Sequence, residues 1–241
     1  IKCVKHGFYD SMLLCNVDNT KILNLNDCDI KSDKDLNKLS NDIGDCDIVA
    51  SQFSYAAWKG GKRNIKWRRQ AAEEKLKTIY LQSRMLKAKY TIPFASFIYF
   101  SNQKNAYLND SANKPSSVVE YFQKKNASSR VITMKPYDEF SGRVNHDNIT
   151  KANDYWDNRF LCINDCKQDY YDTVDSSTLL DSFKKYTQRI HKNNSLKLMR
   201  FLRMISPIKI FPPIRVYLSD IKKTFKIDIV RNQIIEQSLN D

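Results

Sequence analysis

Glycine and proline are scarce in this 241-residue chain, at five and six, and histidine is scarcer still at three. So little glycine excludes collagen-like and linker-rich architectures. None of it falls in a GxGxxG or GxxxxGK(S/T) pattern, so the usual phosphate-cradling loops are missing, and no GxSxG nucleophile elbow occurs. His6, His146 and His191 are too dispersed to form a local metal motif. No apolar run reaches the roughly 18 residues that a membrane-spanning helix needs. No charged-then-apolar leader opens the chain, and a first residue of Ile1 in place of Met gives the expectation of a fragment. The six cysteines (Cys3, Cys15, Cys28, Cys46, Cys162 and Cys166) form no CxxC pair. They are expected as reduced, mostly buried small apolar residues of a cytoplasmic protein.

What is present is a core-sized share of apolar residues and a lopsided charge. Hydrophobic residues make up 41%, enough for a substantial core. The net charge of +13 is concentrated: residues 1–58 carry six Lys/Arg against nine Asp/Glu, residues 59–90 eleven against two, and residues 182–231 thirteen against two. Such clustering suits an anionic partner, and equally suits solvated helix faces.

Periodicity orders the chain into alternating elements. Residues 11–17 and 21–25 flank Asp18-Asn19 and predict a β-hairpin. Leu36, Leu39 and Ile43 predict a helix over 33–43, and 46–54 reads as a buried strand. Residues 62–90 predict the longest helix, with Ile65, Ala72, Leu76, Ile79 and Leu86 inward and its arginines, Arg68 and Arg69 included, outward. Strand-like residues at 91–100 and 130–134 bracket a helix over 114–126 that begins at Pro115. A helix over 147–160 starts near Asn148. Beyond it come two basic amphipathic helices broken at Asn193-Asn194, then a Pro-Pro turn and strands. This order of strands and helices is an α/β signal. A domain of residues 1–160 and a basic segment of 161–241 are expected, with the boundary between 161 and 178.

One stretch carries chemistry. "ILNLNDCDI" (22–30) runs from a strand straight into Asn26, Asp27 and Cys28. A carboxylate at a strand's exit stands where α/β active sites collect, on a support rigid enough to fix it. Asn and Asp are also ordinary turn formers, and the residues alone leave both readings open. His146 is either a cap at a helix start or, with Asp147, part of a substrate pocket. Phe53, Tyr55, Trp58, Phe94 and Tyr99 are expected as core or pocket wall.

Taken in order, "DSMLLCNVDNTKILNLNDCDI" (10–30), "IVASQFSYAAW" (48–58), "IPFASFIYFSNQKNAYLND" (92–110) and "HDN" (146–148) resemble the C-terminal half of metallo-β-lactamase-fold proteins. The nearest branch is the one containing the metallo-hydrolase-like domain of CMP-N-acetylneuraminate hydroxylase. The resemblance implies an α/β fold, the C-terminal half of an αββα sandwich, with Asp27 where the superfamily's Asp ligates or bridges divalent metal, zinc or iron. It implies a metal-dependent hydrolase acting on an anionic, nucleotide-sugar-like small molecule, with His146 and Asp147 beside the substrate. The superfamily's HxHxDH motif is absent from these residues, and Ala95 stands where related enzymes place a histidine after Ile-Pro. "PYDEF" (136–140) replaces a Gly-Asp-x-Trp loop. Hydroxylation is not implied, because the paired Cys-x-His motifs of a Rieske cluster are missing. The alternatives are a basic nucleic-acid-binding module and an inactive truncated remnant.

Overall fold

The computed structural model describes residues 1–7, 10–165, 174–218 and 221–237. It divides into two compact units, Ile1–Tyr170 and Tyr171–Asp241. The first unit contains β1 (Lys2–His6), β2 (Asp10–Val17), β3 (Thr20–Asn26), α1 (Asp33–Ile43), β4 (Ile48–Gln52), α2 (Ile65–Met85), β5 (Tyr90–Phe94), α3 (Pro115–Lys124), β6 (Arg130–Val131) and α4 (His146–Leu161). Its six strands form one mixed sheet in chain order. β1, β2 and β3 pair antiparallel, and β3 through β6 pair parallel.

Local chemistry explains most of these boundaries. Asp18 and Asn19 both adopt positive φ, 45° and 63°, as the two-residue turn of the β2–β3 hairpin requires. Ser32 caps α1 by accepting the Asp35 N–H, and Gly44, at φ 74°, follows its last residue. Pro115 sits at the start of α3, where its missing N–H costs nothing. The side chain of Asn145 caps α4 through the Asn148 N–H, so that helix begins at His146, two residues earlier than its spacing predicts.

The sheet is covered on one face. Parallel strands that each step one place in the same direction, through right-handed connections, carry all their helices to the same side. Side-chain burial agrees. Leu14, Leu23, Val49 and Thr91 lie in one register row. Leu14, Leu23 and Val49 join Leu36 and Leu39 of α1 and Leu86, just past α2, in one core. Thr91 meets Ser83 of α2 through their hydroxyls, and Phe53 and Val131 pack with Leu76 and Ile79 of α2 and Val118 and Phe122 of α3. The alternate rows, Leu13–Asn24–Ala50–Ile92 and Cys15–Ile22–Ile48–Tyr90, point the other way. Tyr90 is met there by Phe140, edge to face at 5.0 Å. On the rest of that face Ile48 and Ala50 of β4 are buried, whereas Leu13 is 41% and Phe94 40% exposed, and Cys15, Ile22 and Ile92 are half-buried.

Several expected details change. The strand predicted over 91–100 stops at Phe94 and the one over 130–134 at Val131. Leu76 and Ile79 on α2 and Leu86 just past it are buried as spaced, whereas Ile65 is exposed and Arg68 buried. The first turn of α2 thus exchanges its apolar and charged residues, because Arg68 finds a carboxylate and two carbonyls that helical periodicity cannot reveal. Of the cysteines, Cys28 and Cys46 are buried, but Cys3 and Cys162 are exposed and Cys15 lies on the open sheet face; Cys166 lies outside the described residues.

The second unit contains α5 (Ser176–Asn193), α6 (Leu196–Ile205) and an antiparallel sheet of β7 (Ile214–Leu218), β8 (Lys223–Asp228) and β9 (Gln233–Gln237). Asp175 and Ser195 cap the two helices. Arg203 on α6 donates to both oxygens of the buried Asp228, at 2.7 and 2.9 Å.

Candidate functional site

Because β3 to β6 run parallel, their C-terminal ends lie along one edge of the sheet, the edge at which open α/β sheets bind ligands. Asp27 stands at that edge, immediately past β3. The chain turns there on Asn26, whose φ is 48°, with the Asn26 N–H donating to Asn24 Oδ1 at 2.9 Å. The Cys28 N–H closes the turn on Leu25 O at 2.9 Å. Turn and strand exit therefore coincide. Asp27 is exposed, and its Oδ1 accepts a hydrogen bond from Asn26 Nδ2 at 2.7 Å. It has no ion pair among the described residues.

Its neighbours differ. Burial, and then the charges of Asp10 and Asp27, push the Cys28 thiol up, so it stays protonated near neutrality and is a poor metal ligand. Asp29 is already compensated: Lys31 lies at 2.8 Å and Lys75 at 3.3 Å. Partial burial opposes its ionisation, but these two lysines prevail and lower its pKa. Lys75 also donates to Gln52 Oε1 at the end of β4, at 2.6 Å.

The loops after β4 and β5 are tied by buried polar groups. Ala95 adopts φ 57° directly after β5, a left-handed turn that is uncommon for a residue with a Cβ. It is followed by Ser96, whose Oγ accepts from the Phe53 N–H at 3.2 Å and donates to Ser54 O at 3.1 Å. Asn113 Nδ2 donates to Phe53 O and Ala72 O, at 2.8 and 2.7 Å, and its N–H to Ser54 Oγ at 2.9 Å. Tyr55 donates its hydroxyl to Leu108 O; burial first, and then Asp110, push that phenol up to about 12. Replacing Tyr55 by Phe should therefore cost about 1 to 2 kcal/mol, since a buried carbonyl loses its partner, measurable by urea denaturation.

His146 and Asp147 occupy the first turn of α4, both exposed, on the rim of a cleft of about 530 Å³. Ile132, Thr133 and Met134, directly after β6, line the same cleft. It therefore opens at the same sheet edge as Asp27 but three strands away, roughly 14 Å at the usual strand spacing of about 4.8 Å. Asp138, Glu139 and Asp147 line it together with Arg143 and His146. Asp138 is held by Lys135 through its N–H and its Nζ, which outweighs partial burial and lowers its pKa. With carboxylates outnumbering free cations, the cleft offers polar recognition more readily than anion binding.

The resemblance implies a divalent metal, and the residues present do not supply a centre for one. Among the described residues no three His, Cys, Asp or Glu side chains come together as a metal site. Ala95 brings only a methyl group to the end of β5. A stable zinc site takes three or four protein ligands, and Asp27 is one. The strand exit and the family resemblance pointed to Asp27, His146 and Asp147; the Ser54–Ser96–Asn113 ties escaped both, because single serines and asparagines between apolar runs read as loop. Comparison with protein-family models, with curated proteins and with solved structures finds no match to this chain.

Proposed function

We propose that this chain supplies one sheet-and-helix layer of a metallo-β-lactamase-like αββα sandwich, and that Asp27 is its oxygen ligand to a divalent zinc or iron. The intact enzyme would be a metal-dependent hydrolase of a polar, anionic small molecule such as a nucleotide sugar. The observation that carries this reading is the uneven cover of the sheet: helices cover one face, and on the other Leu13, Cys15, Ile22, Ile92 and Phe94 are partly or largely uncovered around the buried Ile48 and Ala50 of β4. A sandwich fills such a face with a second sheet about 10 Å away. Asp27 would then stand at the mouth between the two layers, its carboxylate without an ion pair among the described residues. His146 and Arg143 would meet polar groups of the substrate further along the same edge. The remaining metal ligands would have to come from the second layer.

The test is a zinc titration followed by calorimetry and by elemental analysis after dialysis. One carboxylate should hold zinc only weakly, with a dissociation constant of about 0.1 mM or weaker for so incomplete a ligand set, and Asp27→Asn should weaken it further. Tight one-to-one binding that Asp27→Asn leaves unchanged would remove Asp27 from this role.

A further inference from the structure

The second unit carries an outward face that its own core does not use. On α6, Met199 is buried and Arg203 turns inward to Asp228, whereas Leu198, Phe201, Met204 and Ile205 are 54%, 51%, 75% and 54% exposed. The loop after the helix continues the pattern, with Ile208 71% and Phe211 43% exposed. Apolar surface so concentrated marks an interaction site. Its setting is cationic: residues 182–215 contain nine Lys/Arg and no Asp or Glu. Beside the loop, a cleft of about 500 Å³ gathers Arg203, Lys209, Arg215 and Lys226. The charge of Arg203 is offset by Asp228, and Lys209 and Lys226 add positive charge to the cleft.

We propose that this face docks on an anionic phospholipid surface, with the apolar side chains of α6 and its loop entering the headgroup boundary and Lys209 and Lys226 of the cleft receiving a lipid phosphate. An amphipathic helix with a cationic border lies in the membrane interface for both reasons, apolar burial and attraction to anionic lipid. Polynucleotide accounts for the charge alone. Single-stranded nucleic acid is held by stacking on aromatic rings, and four of these six exposed side chains are aliphatic or thioether. No helix among the described residues is long and apolar enough to cross a membrane, so the attachment is peripheral. This inference is independent of the metal reading.

The experiment is sedimentation of the full chain with phosphatidylcholine vesicles, with and without phosphatidylserine at about one lipid in four, a composition that gives a negative surface potential. Binding is expected only to the anionic vesicles, and should fall when salt shortens the screening length. Phe201→Ser with Met204→Ser should weaken it by about tenfold or more through lost apolar burial. Lys209→Gln with Lys226→Gln should weaken it by about tenfold or more through lost lipid attraction. Circular dichroism melts should show all variants folded, since these side chains are on the surface. The proposal is overturned if the wild-type chain ignores anionic vesicles, or if the serine variant binds them undiminished. It is also overturned if a single-stranded RNA oligonucleotide is bound and lost equally in both variants while vesicles are not bound. Self-association that the serine variant abolishes, without vesicle binding, would likewise assign the face to a second copy.

Discussion

Replacing Arg68 by Leu is expected to destabilise the chain by about 3 kcal/mol, at the lower end of the range for breaking a buried ion pair. The guanidinium is 1% exposed. It donates to both oxygens of Asp110, at 2.8 and 2.6 Å, and to Gly61 O and Lys62 O, at 2.8 and 3.1 Å. Removing it strands two backbone carbonyls and a carboxylate. The carboxylate is one-third exposed, so water recovers part of the loss, which sets the estimate low. Lys at this position should fail nearly as badly, because one ammonium cannot reproduce a planar fork with four acceptors. Hydrogen bonds from Arg68 come first among the causes that lower the Asp110 pKa. A depressed carboxylate stabilises the fold above its unfolded pKa near 4 and ceases to do so as pH falls through the folded value. The wild-type chain should therefore lose this contribution below about pH 4, and Arg68→Leu should show a flatter acid limb in urea midpoints.

Leu23→Ala is expected to cost about 3 to 4 kcal/mol, within the range for truncating a fully buried leucine. Leu23 is 0% exposed on β3, between Leu14 and Val49 and beneath α1. Its contrast is Leu13, one strand over on the opposite face and 41% exposed. Leu13→Ala should cost about 1 kcal/mol or less, since much of that side chain already meets water. The difference between these two leucines measures the one-sidedness of the sheet, and equal costs would mean that both faces are covered.

Elements whose causes lie within a few residues were legible in the sequence. The Asp18-Asn19 turn, Pro115 and the Leu36–Leu39–Ile43 stripe each act over short distances, and each element stands where expected to within a few residues. Arg68 was not legible, because its partner Asp110 is 42 residues away and periodicity assigns every charge on an amphipathic helix to water. The same holds for Asn113, which ties Phe53 and Ala72 from a distance of 60 and 41 residues. The left-handed turn at Ala95 had no signal either, since alanine is not a residue that marks positive φ. Asp27 at the strand exit was visible in "ILNLNDCDI". What a metal would need beside it was not, and the described fold brings no such group there. The apolar outer face of α6 was half visible: its basic amphipathic period is in the sequence, but only the inward turn of Met199 and Arg203 shows which apolar residues remain outside.

Site-resolved alkylation of the native, monomeric chain with iodoacetamide, followed by mass spectrometry, tests the open sheet face most directly. Cys15 lies on that face in the row with Ile22 and Ile48. Cys28 and Cys46 are buried in the helix-side core, and burial pushes the Cys46 thiol up to about 11. A one-sided sheet predicts that Cys15 reacts at a rate close to that of exposed Cys3, while Cys28 and Cys46 react at least about tenfold more slowly, as thiols without access or thiolate character do. Protection of Cys15 to the level of Cys28 in the monomer would show that its face is already covered, and would contradict the proposal that a second layer belongs there.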